Sequence, residues 1–229
     1  MPVTIADKLI NFYRGLQPPS GLPSGVETLF PQQDPLVIQT VEAFLRKYYS
    51  DNRPRTLMFG INPGRFGAGI TGINFTAPKQ LTENCNITHP FPMGSELSAE
   101  FIYKVIDAYG GPDKFYGHVF ITAVSPLGFI QNGINVNYYD SKPLLDTLKP
   151  FIMGCLDQQL TMGFRSDRCI CIGGDKNLKI LTMLNELRKS GGQTHFENIY
   201  PLPHPRYIMQ YKRKHMGIYV DQYLEVISG

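Results

Sequence analysis

What the chain lacks narrows its chemistry before any motif is read. Only four cysteines occur among 229 residues, at positions 85, 155, 169 and 171, and neither they nor the five histidines take the paired spacings that hold zinc or an iron–sulfur cluster. No metal is expected, and the cysteines are expected to be reduced thiols of an intracellular protein. Long apolar runs are missing too. The stretch CICIGG from Cys169 to Gly174 falls far short of the roughly 20 residues a membrane span requires. The N-terminus MPVTIADKLINFYRGL mixes charged with apolar residues, so neither a leader nor a membrane anchor is expected. A large excess of one charge is lacking: 22 Lys and Arg against 19 Asp and Glu leave a net of +3, which leans only mildly toward anionic partners. Neither an internal repeat nor a low-complexity tract occurs. With 42% hydrophobic and 18% charged residues, a chain of this length buries a real core. It is read as one domain over residues 1–229, with residues 1–50 as a helical segment packed on the rest.

What is present is an alternation of two periods. Val3 to Leu16 and Pro35 to Tyr49 carry apolar residues at three-and-four spacing and read as helices, joined by the Pro/Gly-rich linker QPPSGLPSGVETLFPQQD. Four short apolar segments follow: TLMFGI from Thr56, HVFITAV from His118, RCICIGG from Arg168 and a weaker FENIYPL from Phe196. Helical patterns separate them at Ser98 to Tyr109, Ser141 to about Met162 and Asp175 to Arg188. Strands apolar on both faces that alternate with helices predict a parallel sheet, because parallel neighbours need long crossovers. The fold class expected is α/β, a three-layer α/β/α sandwich around a central four-stranded parallel sheet. Ligands of such sheets gather where the strands end, which here means NPGRFGAG, SPLGFIQNG and PLPHPR.

The first of these exits, GINPGRFGAGITGINF from Gly60 to Phe75, has five glycines and no carboxylate. Such a loop lets backbone approach a ligand closely. Residues Gly67 to Gly72 satisfy G-x-G-x-x-G, but the strand ends near Ile61 and INFTAPK after Gly72 shows no helical period, which argues against a dinucleotide fingerprint. No Lys-Ser/Thr follows to make a phosphate loop, so no nucleotide cofactor is expected. Asn62 is the polar residue at this exit; alone, an Asn there is most often a turn residue. At another exit, PLPHPRYIMQYKRKH holds His204 among Pro201, Pro203 and Pro205, and a decorative histidine needs no such rigidity. Arg206, Lys212, Arg213 and Lys214 interleave with Tyr207 and Tyr211, a mixture suited to a phosphate backbone and unstacked bases.

Together these segments resemble the uracil-DNA glycosylase superfamily, most closely its single-strand-selective monofunctional branch. That branch's first motif, roughly G-[IM]-N-P-G-x-F-G-x-x-x-T-G-x-x-F, is followed without a gap by Gly60 to Gly67, then Thr71, Gly72 and Phe75. His204-Pro205 separates the chain from the mismatch-specific branch, whose second motif has no histidine. Weaker likeness runs through SELSAEFIYKV, FITAVSPLGF and CICIGGDKNLKIL, so roughly residues 55 to 215 are covered. The resemblance implies an enzyme that flips a damaged base out of single- or double-stranded DNA and hydrolyses its N-glycosidic bond without nicking the strand. It further implies that Asn62 positions the attacking water and Phe75 stacks on the base. Backbone near Gly64 and Phe66 would line the base pocket, His204 would stabilise the leaving base, and the loop after it would wedge into the duplex. A monomer inside the cell, acting on chromosomal DNA, is the expected working form.

One position departs from the pattern. Members that read uracil carry an Asn on the second exit loop, and the matching residue here is Ala123. An alanine makes no edge hydrogen bond, leaving Thr122 or Ser125 as partial substitutes, so a range that includes hypoxanthine or xanthine is expected. A second reading stays open at this point: a damaged-DNA-binding module that kept the pocket and lost efficient chemistry.

Overall fold

The computed structural model describes residues 2–229. In chain order its elements are α1 (Ile5–Gly15), β1 (Val26–Leu29), α2 (Pro35–Tyr48), β2 (Thr56–Gly60), α3 (Ala68–Thr71), α4 (Pro78–Glu83), α5 (Leu97–Tyr109), α6 (Pro112–His118), β3 (Val119–Ala123), β4 (Gly128–Gln131), β5 (Ile134–Val136), α7 (Lys142–Leu160), β6 (Arg168–Cys171), α8 (Gly174–Ser190), β7 (Asn198–Pro201), α9 (Pro205–Tyr211) and α10 (Met216–Ser228).

Four strands form the expected parallel sheet in the order β3-β2-β6-β7. Every residue of β2, β3 and β6 is buried, which explains their unbroken apolar reading. β7 lies at the edge and is largely exposed, as its weaker signal implied. Because all four strands point one way, Gly60, Ala123, Cys171 and Pro201 end at one side of the sheet. The exits therefore share a single edge.

A second sheet was not legible in the sequence. β1, β4 and β5 pair antiparallel in the order β1-β4-β5. β1 lies in the stretch expected to be linker, and β4 in the expected loop SPLGFIQNG. α6 also displaces the predicted strand start at His118, so β3 begins at Val119. The expected helices before residue 50 are present. Thr4 and Asp7 form a reciprocal capping box at the start of α1, and Asp34 caps α2 ahead of Pro35.

This N-terminal segment does more than cover the core. Gln32 Nε2 donates to the Gly72 carbonyl at 2.9 Å, Val37 and Val41 of α2 pack on Gly72, and β1 is hydrogen-bonded to β4. It therefore braces the Gly-rich exit loop from behind. Among the described residues no helix is long and apolar enough to cross a membrane. All four cysteines are free and buried, and burial raises the pKa of each thiol.

Candidate active site

A cavity of about 400 Å³ opens at the strand-exit edge. Its wall is drawn from the β2 exit (Asn62, Gly64, Phe66), from Asn74 and Phe75, and from Glu96 and Ser98 at the start of α5. Asn135, Asn137, Gly173, His204 and Arg206 line it as well. Asn62 and His204, 142 positions apart (204 − 62), thus face one space.

Asn62 is held in a bracket. Its Oδ1 accepts from the Tyr138 backbone N–H at 3.0 Å, and its Nδ2 donates to the carbonyls of Pro63 and Val136, each at 3.3 Å. The two sides of the amide are thereby distinguished, with oxygen facing the N–H donor. Tyr138 is anchored in turn. Its hydroxyl donates to Asn177 Oδ1 at 2.8 Å, and Asn177 Nδ2 donates to the Gly60 carbonyl at 3.4 Å. Tyr138 and Asn177 are fully buried, and burial drives the Tyr138 phenol far above its ordinary pKa, so it stays a donor. This closed frame ties the exits of β2 and β6 to the segment after β5.

Phe75 occupies the left-handed region at φ 53°, which costs a non-glycine residue on the order of 1 kcal/mol. Thr71 enforces the turn, its hydroxyl donating to the Thr76 carbonyl at 2.6 Å and accepting from Ile73 N–H at 3.2 Å. The ring is carried across Gly60, where a Cβ would sit 2.8 Å from Phe75 Cε2. It comes to rest with its centroid 6.0 Å from the His204 imidazole, at 51° between planes. The glycine at 60 is what leaves room for that ring.

His204 is the N-cap of α9. Its Nδ1 accepts from the Arg206 backbone N–H at 3.1 Å, so in the neutral ring the proton belongs on Nε2. Nε2 has no protein partner among the described residues. Burial, with a smaller contribution from the Arg206 guanidinium, pushes the imidazole down to about 4 from its ordinary 6.5. At neutral pH the group is an uncharged donor presented at the cavity.

Other expectations are corrected. Ala123 and Ser125, expected at the base edge, are not among the residues lining the cavity. After β3 the chain stays paired with the β2 exit, Val124 N–H bonding to Gly60 O and Ser125 N–H to Ile61 O, each at 3.1 Å. Both residues are consequently buried behind the wall, and the Ser125 hydroxyl donates to the Leu127 carbonyl. Thr122 is equally occupied, donating to Gln159. The expected wedge loop after His204 is instead helix α9, starting at Pro205. Of the expected DNA-contacting residues only Arg206 borders the cavity. Tyr207 and Tyr211 project from α9 with centroids 5.6 Å apart, and Lys212, Arg213 and Lys214 follow, the last two exposed.

Sequence reasoning missed Asn74, Glu96, Ser98, Asn135 and Asn137 in the wall. The alternation of INVNYYD, with Asn135 and Asn137 two apart, was the available signal, since residues two apart on a strand share a face. Glu96 Oε1 accepts from the Ser98 hydroxyl at 2.8 Å. No group of three or more metal-ligating side chains occurs among the described residues.

Comparison with known proteins identifies the family and the fold. A model of the uracil DNA glycosylase superfamily matches residues 46–227. Ten chains of solved structures match as well. One is the crystal structure of wild-type Pedobacter heparinus SMUG2, 41% identical, with a TM-score of 0.92 and covering 99% of this chain and 98% of that one. The search of curated proteins returned no match. With the family model spanning most of the chain and a near-complete structural likeness to SMUG2, the chain belongs to the uracil DNA glycosylase superfamily as a SMUG-like member.

Proposed function

We propose that the protein hydrolyses the N-glycosidic bond of uracil and of related deaminated or oxidised bases in DNA, acting as a monomer on single- and double-stranded substrates inside the cell. The observation that carries this reading is the convergence of Asn62, Phe75 and the uncharged His204 donor on one cavity. Its volume falls within the range of small-ligand sites.

Breaking a nucleoside C1′–N bond leaves an oxocarbenium-like sugar and an anionic base. The base therefore needs a donor, and His204 Nε2–H supplies one without placing a second charge in the site. Asn62 cannot abstract a proton. One lone pair of its Oδ1 is engaged by Tyr138 N–H, and the other accepts a hydrogen bond from the attacking water, fixing that water's direction. Phe75 supplies the stacking face. With Ala123, Thr122 and Ser125 away from the cavity, the base edge falls to the polar wall of Asn74, Ser98, Glu96, Asn135 and Asn137. The range is accordingly broader than uracil alone.

The test is incubation of purified protein with oligonucleotides carrying uracil, 5-hydroxymethyluracil, hypoxanthine or xanthine, single- and double-stranded, followed by alkali. Cleaved strands are expected for uracil and at least one purine lesion. Binding without cleavage of any of them would establish the damage-binding module instead.

The pH dependence follows from the His204 shift. An imidazole titrating near its ordinary 6.5 would switch within the working range, whereas one held at about 4 stays neutral down to roughly pH 5. The rate of uracil release is expected to be flat across pH 6 to 7, with no inflection there that depends on His204. For stability the sign is the reverse of a favourable ion pair. The unfolded chain takes up a proton near 6.5 that the folded site refuses until about 4, so acidification through that window weakens the fold.

A further inference from the structure

We propose that Phe66, backed by an Arg65 that the tip of the β4–β5 hairpin clamps, forms a stacking platform for the nucleobase next to the extruded one on the DNA strand. The proposal deepens the glycosylase reading and rests on it.

The Arg65 guanidinium lies 4.6 Å from the Phe66 ring centroid, and Phe66 is 57% exposed. Arg65 covers the ring on one side, which leaves apolar ring surface open to solvent at the cavity rim. Burial of a phenylalanine elsewhere in this chain is the rule, and an open aromatic face beside a binding cavity marks a contact surface. Arg65 is also held in place. The hairpin turns through Asn132 and Gly133, both left-handed at φ 51° and 73°, the geometry of a tight two-residue turn. Gly133 O accepts from Arg65 Nη1, and Asn135 Oδ1 accepts from Arg65 N–H at 3.1 Å. The guanidinium that backs the ring is therefore positioned before binding.

The occupant follows from position and charge. Phe66 and Asn135 both line the base cavity, so the platform is continuous with it. A base adjacent to the flipped nucleotide has lost a stacking partner, and an aromatic face backed by a guanidinium replaces that partner while attracting the nearby phosphates.

The experiment uses full-length protein and single-stranded oligonucleotides containing one uracil, with the 5′ or 3′ neighbour either thymine or a base-free tetrahydrofuran spacer. A spacer on one side is expected to raise the wild-type KM about ten-fold. Phe66→Ala is expected to lose a similar factor on the intact strand and then to ignore the spacer, while Phe66→Tyr, which keeps an aromatic face, is expected to keep the response to the spacer. Phe66→Ala responding to spacers as the wild type does would overturn the platform. If the wild type releases no uracil, the glycosylase reading fails separately. The platform is then read from Kd for an undamaged single strand, expected about ten-fold weaker for Phe66→Ala and overturned by equality.

Discussion

Replacing His204 by alanine is expected to lower the single-turnover rate of uracil release by about 10²- to 10³-fold, the loss typical of one donor to a developing anion. Binding to undamaged DNA should change little, because the hydrogen bond matters most once charge has moved onto the base. His204 has a second task that confuses a simple comparison. It caps α9 through Nδ1, and losing a cap costs about 1 kcal/mol of stability. His204→Asn separates the two tasks. Asparagine is a good N-cap with a shorter side chain, so this variant should regain most of the melting temperature lost by His204→Ala while remaining as slow. A rate within ten-fold of wild type for either variant, with folding intact, would remove His204 from the chemistry.

The second large effect is expected at Gly128, far from both reacting groups in sequence. A Cβ at this position would lie 2.2 Å from the Pro63 carbonyl oxygen and 3.2 Å from Leu29 Cβ. The position is caught between β1, where Leu29 pairs with Gly128, and the loop that carries Asn62. Pro63 has no free direction, because the neighbouring amide is bonded to Val136 O and Tyr138 N–H. Gly128→Ala is therefore expected to destabilise the protein by about 2 kcal/mol, within the range for overpacking. Asn62 should also be dislodged in the molecules that stay folded, with a rate loss of up to about 100-fold for a misplacement near 1 Å. Denaturant midpoints and single-turnover rates on the same preparation measure both. Gly154 in α7, with open space where a Cβ would stand, is the control: there the same change should raise stability by about 0.5–1 kcal/mol. A Gly128→Ala protein as stable and fast as wild type would show that the loop is free to shift.

The central sheet was legible because each of its inner strands is apolar on both faces and is flanked by glycine or proline. TLMF and CICI announce themselves without their partners. VETL does not. β1 is only half-buried and exists because β4 offers it an antiparallel edge, a relation no local pattern carries. Helix α10 was missed although its pattern is local. Its sequence does carry a stripe at helical spacing, Met216, Val220, Tyr223 and Ile227, of which only Tyr223 and Ile227 are buried while the others pack half-buried on the core. At the site, Asn62, Phe75 and His204 were identifiable from motif likeness, and the structure brings them together. Ala123 misled because matching a motif position says nothing of where the chain runs next. Its continued pairing with the β2 exit turns the loop inward. Asn135 and Asn137 stayed hidden because they reach the wall from the second sheet.

The order of strands in the parallel sheet bears on how the protein comes into being at the ribosome. Asn62 leaves β2, the first of these strands to be made, while His204 leaves β7, the last. The bracket around Asn62 waits for Val136, Tyr138 and Asn177, and the facing wall with His204 waits for β7, so the cavity closes only when translation of the whole sheet is done.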